Sequence, residues 1–276
     1  MVLMERFLHL EYTLYKNIYK EGKTMGIISK LLFASMMLIS TLWSQTITVA
    51  AAANLKYAVN DIAKEFTKNT NIKVKIITGA SGKLTQQIMS GAPFDAFLSA
   101  DVEYPAKLVK AGYTTTPAQI YAYGSLVLWS NTGVNLSKGV AIVADPSVKK
   151  IAIANPKTAP YGIEAMNAMN YYKVIQKAQP KIVVAESISQ VGSYVTTKAV
   201  DAGFIAKSIV LTPEMKNVGK WVEIDPKTYH TIDQAMVGLK NGTPENQIAA
   251  KKFLSFMSSP KAVEILKANG YGLPTK

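Results

Sequence analysis

Two stretches of the chain share one pattern: an apolar run ends at a small polar residue, and an amphipathic run begins there. They are residues 51–55 and 78–84, and each reads as a β-strand followed directly by a helix. The first turn of a helix has unpaired backbone N–H groups and the positive end of the helix dipole, so it can hold an anion without a charged side chain. The junctions at Asn54 and Ser81 therefore point to anion binding.

Two further junctions of the same kind lie in the second half of the chain, at 159–162 and 186–189. In the first of them Pro160 stands at a natural first helical position, which leaves the following N–H groups free. Each junction alone is also typical of an ordinary N-cap, and the glycines beside Ser81 and Tyr161 are typical of tight turns. The spacing leaves both interpretations open, and only the coincidence of four junctions favours an anion site.

The segments around these junctions alternate between strand-like and helix-like hydrophobic patterns. In the first half the predicted strands are 47–53, 73–78 and 96–99, with helices at 55–68 and around 84–89. In the second half the predicted strands are 150–154, 181–185 and 203–205, with helices at 161–177 and 189–200, and two last helices are expected to begin at Pro244 and Pro260. Alternation of this kind predicts βαβ units around parallel sheets.

Longer strand-like runs at 123–129 and 231–239 interrupt the alternation. We interpret them as crossings between two lobes, the first formed by 46–124 plus 234–276 and the second by 125–233. The predicted fold class is α/β, with each lobe a βα sheet domain and the C-terminal helices on the first lobe. Ligands of open α/β sheets bind outside the carboxyl ends of the strands, so the four junctions are expected to face the cleft between the lobes.

The first 45 residues are set apart from this pattern. Lys30 followed by the apolar run 31–42 is typical of a secretory signal peptide, and the run is too short for a membrane span. We expect Met25 to be the start and residues 1–45 to be absent from the folded protein. Because the sequence contains no cysteine, neither a disulfide nor a cysteine-linked lipid anchor is expected, and the predicted location is the periplasm.

The charge of the chain raises the possibility of a nucleic-acid partner. Its 276 residues carry a formal charge of +13. The only arginine is Arg6, in the segment expected to be removed, and arginine is the residue best suited to bidentate phosphate and guanine contacts. We therefore expect no nucleic-acid partner, and we interpret scattered lysines such as Lys64 and Lys68 as solvated surface.

Four segments carry a family resemblance: 47–55, 79–88, 91–101 and 155–162. The most specific is 91–101, with the pattern Gly-Ala-Pro-x-Asp-x-Phe-x-Ser-Ala-Asp. From about residue 46 onward the chain resembles the periplasmic molybdate-binding proteins of ABC transporters. The resemblance implies a type II periplasmic binding fold, in agreement with the two predicted lobes.

Members of that family hold a tetrahedral dianion with neutral donors from four loops. The resemblance implies that Asn54 and Ser81 supply side-chain and backbone donors from the first lobe. It implies that Tyr161 and Ile188 supply backbone N–H donors from the second. No catalytic residue and no separate metal site are implied, since the oxyanion itself is the ligand.

The chain departs from some members of the family at Ala206, where they have a tyrosine hydroxyl. Alanine has no side-chain donor. The corresponding contact must therefore be absent or supplied from the first lobe, by Asn54 or by the N–H group of Ala53.

The resemblance also implies the ligand and the partners. The expected ligand is molybdate or tungstate, bound one-to-one by a monomer without a cofactor and delivered to an inner-membrane ABC permease. Sulfate is an alternative, because it is also fully deprotonated and needs only donors. Phosphate mostly carries a proton at neutral pH and needs an acceptor, for which Glu186 is the one carboxylate adjacent to a junction.

Two different function classes compete with a small-oxyanion receptor: an enzyme and a receptor for a larger ligand. Asp95, Asp101 and His230 are the only plausible acid–base residues, and no nucleophile elbow, Walker loop or His-Glu-x-x-His motif occurs. A hydrolytic enzyme of the exported compartment is therefore disfavoured. A larger polar ligand would call for arginine and a metal for several histidines or cysteines, but residues 46–276 contain no arginine, no cysteine and one histidine.

Overall fold

The computed structural model describes residues 45–274. The signal-peptide prediction, with its start at Met25, falls on residues outside this part of the chain. The described residues, from Gln45 to 274, form one compact unit. Within 45–274, none of the helices combines the length and the apolar character that a membrane crossing requires.

Ten strands form two five-stranded sheets in the described part of the chain. In chain order they are β1 (Thr46–Ala52), β2 (Lys73–Gly79), β3 (Ala96–Leu98), β4 (Gln119–Gly124), β5 (Leu126–Ser130), β6 (Ile151–Ala154), β7 (Ile182–Ala185), β8 (Ala202–Ala206), β9 (Lys220–Glu223) and β10 (Ile232–Gly238). The first sheet has the order β2-β1-β3-β10-β4 and the second the order β7-β6-β8-β5-β9.

Helices connect the strands of both sheets. The α-helices are α1 (Lys56–Thr70), α2 (Ser81–Met89), α3 (Glu103–Lys110), α4 (Pro160–Tyr171), α5 (Ile175–Ala178), α6 (Ile188–Thr196), α7 (Lys207–Val210), α8 (Pro244–Phe256) and α9 (Pro260–Ala268). Short 3₁₀ segments occupy Ala53–Leu55, Leu136–Ala144, Gln179–Lys181, Pro213–Met215 and Pro226–Thr228. The predicted two-lobed α/β fold is confirmed.

Each sheet combines a parallel trio with antiparallel strands. In the first, β1 pairs in parallel with β2 and β3, and β10 runs antiparallel to β3 and β4. In the second, β6 pairs in parallel with β7 and β8, and β5 runs antiparallel to β8 and β9. Central parallel strands are covered by helices on both faces, which is why β1 reads as a nearly continuous apolar run with Ile47 and Val49 fully buried.

The chain passes between the sheets at two places. Only Ser125 separates β4 of the first sheet from β5 of the second, so the long strand expected over 123–129 is in fact two strands. Strand β10 then returns the chain to the first sheet. The exact limits of the two lobes, 46–124 plus 234–276 and 125–233, stay a prediction.

The last two helices pack on the first sheet. Phe253 of α8 meets Phe66 of α1 edge to face, with ring centroids 5.2 Å apart. Leu266 of α9 is buried in the same apolar cluster as β1. Both helices begin as the sequence predicts, with Thr243 and Ser259 as N-caps before a proline.

Two of the predicted helices are wrong in extent. The single helix expected over 161–177 is broken, because Lys173 adopts a left-handed conformation with φ 56° between α4 and α5. The helix expected over 189–200 begins one residue earlier, at Ile188, and ends at Thr196. Neither correction moves a junction away from the end of its strand.

Candidate functional site

The four predicted junctions lie at the carboxyl ends of parallel strands and meet between the two sheets. The N–H group of Gly82, in the first turn of α2, donates to the carbonyl of Thr158, which precedes α4, at 2.8 Å. The hydroxyl of Ser189, in the first turn of α6, donates to the carbonyl of Ala53 at 3.0 Å. Lys83 of α2 pairs with Glu186, just before α6. Contacts from one lobe to the other thus bring the four junctions together.

Backbone donors at three of the junctions are left without a protein partner. Among residues 45–274, no acceptor receives the N–H groups of Ser81, Tyr161 or Ile188. Each of these residues stands at the first or second position of its helix, where no intrahelical carbonyl is available. Pro160 has no N–H group, which makes Tyr161 the first donor of α4.

Ser81 is the first residue of α2 rather than its N-cap. The capping position belongs to Ala80, whose side chain has nothing to donate or accept. The Ser81 hydroxyl oxygen is almost completely buried and accepts the N–H group of Ala100 at 3.0 Å. Because the oxygen is used as an acceptor, the hydroxyl proton is available to a further group.

Asn54 is not an N-cap either, since it lies within the 3₁₀ turn Ala53–Leu55. Its side chain is 1 % exposed. The Nδ2 atom donates to Gln234 Oε1 at 2.9 Å and to the Tyr271 hydroxyl at 3.0 Å, whereas Oδ1 is buried without a partner among the described residues. The amide therefore belongs to a buried network that reaches the crossing strand β10.

The same network contains residues that sequence reasoning missed. Gln234 Nε2 donates to the hydroxyl of Tyr161 at 3.3 Å, and the Tyr121 hydroxyl lies 2.9 Å from Gln234 Oε1. Tyr271 donates its hydroxyl to the Asn54 carbonyl at 2.9 Å. These residues are far apart in the sequence, and the only local signal is a glutamine in the apolar run of β10.

Burial keeps the phenols of this network neutral. Removal from water raises the pKa of Tyr121, Tyr161 and Tyr271 well above the usual tyrosine range. Each phenol therefore keeps its proton across the physiological range and acts as a hydroxyl donor and acceptor. The network adds no negative charge beside the candidate site.

Ala206 is fully buried at the end of β8 and offers no side-chain donor, as the sequence indicates. Two residues further on, the hydroxyl of Ser208 donates to the carbonyl of Asn54 at 3.0 Å. A hydroxyl from this part of the second lobe therefore does reach the first junction, but it contacts the backbone of the turn.

The acid–base candidates make separate structural contacts. Asp95 accepts the N–H group of Thr48 at 2.6 Å, and Asp101 accepts the N–H group of Tyr104 at 3.1 Å. The exposed imidazole of His230 lies 3.4 Å from a carboxylate oxygen of Glu164. Within residues 45–274, no cluster of three or more histidine, cysteine or acidic side chains is arranged to hold a metal ion.

Charged groups border the site without entering the donor set. Lys83 and Glu186 bridge the two lobes with half-exposed side chains, so solvent screens their attraction. Partial burial raises the pKa of Asp101 to about 6, although its bonds from Tyr104 N–H and from the Ser99 hydroxyl favour the ionised form. The donors left free at the junctions, among the described residues, are backbone N–H groups and a hydroxyl, a set suited to an anion that carries no proton.

Comparison with known proteins identifies the family of the chain. The family of bacterial extracellular solute-binding proteins matches residues 47–272. The molybdate-binding protein ModA of Azotobacter vinelandii is 36% identical over 228 residues, which is 82% of this chain and 90% of the relative. ModA of Rhodobacter capsulatus is 37% identical over 227 residues, 82% of this chain and 87% of that protein.

Solved structures give the same result. The periplasmic molybdate-binding protein of Azotobacter vinelandii superposes with a TM-score of 0.78 at 35% identity, covering 83% of this chain and all of the other. The sulfate-binding protein SubI of Mycobacterium tuberculosis, 16% identical, has a TM-score of 0.66 over 82% of this chain and 86% of SubI, and this likeness shows the fold alone. The resemblance inferred from the sequence is confirmed, and the chain belongs to the bacterial extracellular solute-binding protein family.

Proposed function

We propose that this protein binds molybdate, and with it tungstate, and delivers the ion to an ABC permease. The observation that carries the proposal is that the four junctions contact one another across the lobes while the N–H groups of Ser81, Tyr161 and Ile188 and the Ser81 hydroxyl proton have no acceptor in the described part of the chain. Two relatives more than a third identical to this chain are molybdate-binding proteins by name, which supports the same ligand.

Neutral donors suffice for tight binding of a dianion. A hydrogen bond to a charged group contributes roughly 1.5–3 kcal/mol. About six of them exceed the ~8 kcal/mol of a micromolar complex after the costs of association. An oxyanion held in this way needs no buried lysine.

The donor set also bears on which anion binds. Molybdate, tungstate and sulfate are fully deprotonated near neutral pH and require only donors. Phosphate mostly carries a proton, and the nearest candidate acceptor, Glu186, is engaged with Lys83. Phosphate is therefore disfavoured. Sulfate has the same need for donors, so the preference for molybdate is supported by the relatives that bind molybdate by name.

Asn54 becomes a further donor if two amide groups rotate together. The oxygen and nitrogen of an amide side chain exchange places on a 180° rotation and are assigned from the hydrogen-bond network. After rotation of both Asn54 and Gln234, Gln234 Nε2 donates to Asn54 Oδ1, and the Tyr161 hydroxyl donates to Gln234 Oε1. The Tyr271 hydroxyl then donates to Asn54 Oδ1, and the Asn54 carbonyl keeps its bond from Ser208. The buried unpartnered atom is then Asn54 Nδ2, which is a donor. The proposed oxyanion set is Asn54, Ser81, Tyr161 and Ile188, with the N–H group of Ala53 as an additional donor.

The biological setting follows from the family. A 27% identical relative of Bacillus subtilis, matched over 82% of this chain, is by name a putative ABC transporter substrate-binding lipoprotein. This chain has no cysteine for such an anchor. We assign it to the periplasm as a soluble monomer without catalytic activity, secreted through the signal peptide predicted in residues 1–45.

Isothermal titration of the purified protein with four anions tests the proposal. Molybdate and tungstate are expected to bind one-to-one at about micromolar affinity or tighter, near −8 kcal/mol or below. Sulfate is expected to be weaker by about tenfold or more, which is about 1.4 kcal/mol, and phosphate weaker still. No binding of molybdate would overturn the function, and equal affinities for sulfate and molybdate would overturn the specificity.

A further inference from the structure

Two serine hydroxyls of the second lobe hold consecutive carbonyls of the 3₁₀ turn Ala53–Leu55. Ser189 donates to the carbonyl of Ala53 and Ser208 to the carbonyl of Asn54, both at 3.0 Å. The Ala53 carbonyl also accepts the N–H group of Lys56, where α1 begins. The turn is thus attached to the other lobe through its backbone.

The Ser189 bond fixes a donor of the candidate site, the backbone N–H group of Asn54, and the Ser208 bond fixes the next peptide group of the same turn. A peptide group is planar and trans, so its C=O and its N–H point in opposite directions. The carbonyl of Ala53 shares a peptide plane with the N–H group of Asn54, and the carbonyl of Asn54 shares one with the N–H group of Leu55. Holding the two carbonyls from the second lobe therefore sets the direction of the two N–H groups.

We propose that Ser189 and Ser208 are positioning residues: they hold the turn 53–55, and with it the backbone N–H donor of Asn54, when the lobes are together. The inference rests on the proposed function, because it concerns the same anion site. The proposal also accounts for the alanine at position 206, which has no side-chain donor for the anion. Two residues further on, the Ser208 hydroxyl reaches the first junction by a hydrogen bond to its backbone instead. Neither serine needs to touch the anion.

The position of the serines in the chain strengthens this assignment. Ser189 directly follows Ile188, whose free N–H group belongs to the proposed donor set. Ser208 is nearly fully buried in α7, and its partner carbonyl also accepts the Tyr271 hydroxyl. The contact between the lobes and the geometry of the first junction are therefore coupled through two hydrogen bonds, those of Ser189 and Ser208.

Alanine variants of the two serines test the inference by molybdate titration and stopped-flow dissociation. Loss of a neutral hydrogen bond is expected to weaken molybdate binding by about two- to tenfold in each single variant, and by about ten- to fiftyfold in Ser189→Ala/Ser208→Ala. Most of the change is expected in a faster dissociation rate, because the bonds stabilise the assembled site. The matched control is Ser193→Ala, since the exposed Ser193 hydroxyl bonds only to the Ser189 carbonyl of its own helix.

A purely structural role would lower thermal stability without changing ligand dissociation, so melting of the anion-free protein is measured in parallel. Ser189→Ala is expected to melt within about 2 °C of the unaltered protein, because only one partly buried hydrogen bond is lost, and to release molybdate faster. Ser189→Thr, which keeps a hydroxyl, is expected to restore slow dissociation. If the unaltered protein binds molybdate and the double variant binds equally well, the positioning role is wrong. If the unaltered protein does not bind molybdate, the proposed function fails and the inference with it.

Discussion

The two lobes contribute to the candidate site in different ways. Besides the backbone N–H group of Ser81, the first lobe brings side chains, the amide of Asn54 and the hydroxyl of Ser81, which are held by buried hydrogen bonds. The second lobe brings the backbone N–H groups of Tyr161 and Ile188. A side-chain donor depends on the identity of its residue, whereas a backbone donor depends only on where its helix begins.

The side chains of Ile188 and Tyr161 make structural contacts and are not proposed as donors to the anion. Ile188 is buried in the apolar core of its lobe, and Tyr161 directs its hydroxyl to Gln234 on the crossing strand. Packing fixes the start of α6, and Pro160 fixes the start of α4. We therefore expect substitutions on the first lobe to weaken anion binding more than comparable substitutions on the second.

The largest effect is expected from a change at the contact between the lobes. A Cβ atom on Gly82 would lie 2.4 Å from the Tyr104 hydroxyl and 3.0 Å from the Cα atom of Thr158. Gly82→Ala is therefore expected to keep the lobes apart and to weaken molybdate binding by about 100-fold, within the 1–3 kcal/mol typical of overpacking. In the control Gly79→Ala the new atom lies 3.4 Å from the Leu84 side chain, so titration should detect little change. Equal affinities of the two variants would contradict the proposed approach of the lobes.

Ser81→Ala tests how much a side-chain donor of the first lobe contributes to anion binding. It removes one donor to the anion and leaves the Ala100 N–H group without its acceptor. The expected loss is roughly 2 kcal/mol, or about 30-fold in molybdate affinity by titration. Thr85→Ala is the matched control, because the Thr85 hydroxyl of the same helix donates to the Ser81 carbonyl at 2.9 Å. The assignment of Ser81 fails if both variants bind molybdate as the unaltered protein does.

Asp101 is expected to make stability depend on pH. Its pKa is raised from 3.8 to about 6, so the folded protein binds the proton more tightly than the unfolded chain does. Between these two values stability therefore rises as pH falls. Asp101→Asn keeps an acceptor for Tyr104 N–H but has no proton to gain.

Thermal unfolding at pH 7 and at pH 4.5 measures this effect. The unaltered protein is expected to gain stability at pH 4.5 relative to Asp101→Asn, and the variant is expected to be at least as stable at pH 7. Other carboxylates titrate in both proteins, so only the difference between them is compared. Parallel pH profiles would show that the Asp101 carboxyl titrates alike in the folded and unfolded chains.

The smallest effect is expected at Ile188. Ile188→Val keeps the backbone N–H group and the helix start, and it removes one buried methylene group. Stability is expected to fall by about 0.5–1.5 kcal/mol, while molybdate affinity changes by less than about twofold. A loss as large as that of Ser81→Ala would remove the distinction between side-chain and backbone donors.

Much of the fold could be predicted from the sequence because its signals are local. Alternating hydrophobic periods identify the strands and helices, and Thr243 and Ser259 before proline identify two helix starts. The break after α4 was missed, because Lys173 in a left-handed conformation leaves no mark in the hydrophobic pattern. The four junctions were found for the same reason as the strands, since each is a boundary between two periodicities.

The hydrogen bonds of the site could not be predicted from local sequence patterns. Asn54 reads as an N-cap because its neighbours are a strand and a helix, but its amide contacts Gln234 and Tyr271, 180 and 217 residues away. The role proposed for Ser208 depends equally on tertiary contact. No periodic pattern relates such residues, because the crossing strands bring them together only in the folded chain.

Diffraction from crystals grown with molybdate, recorded at the molybdenum edge, tests the central claim most directly. We expect one strong anomalous peak between the two sheets, with oxygens of the anion about 2.8 Å from the backbone nitrogens of Ser81, Tyr161 and Ile188 and from the Ser81 hydroxyl. A peak located elsewhere, or no ordered peak at saturating molybdate, would contradict a site built from side-chain and backbone donors of the first lobe and backbone donors of the second.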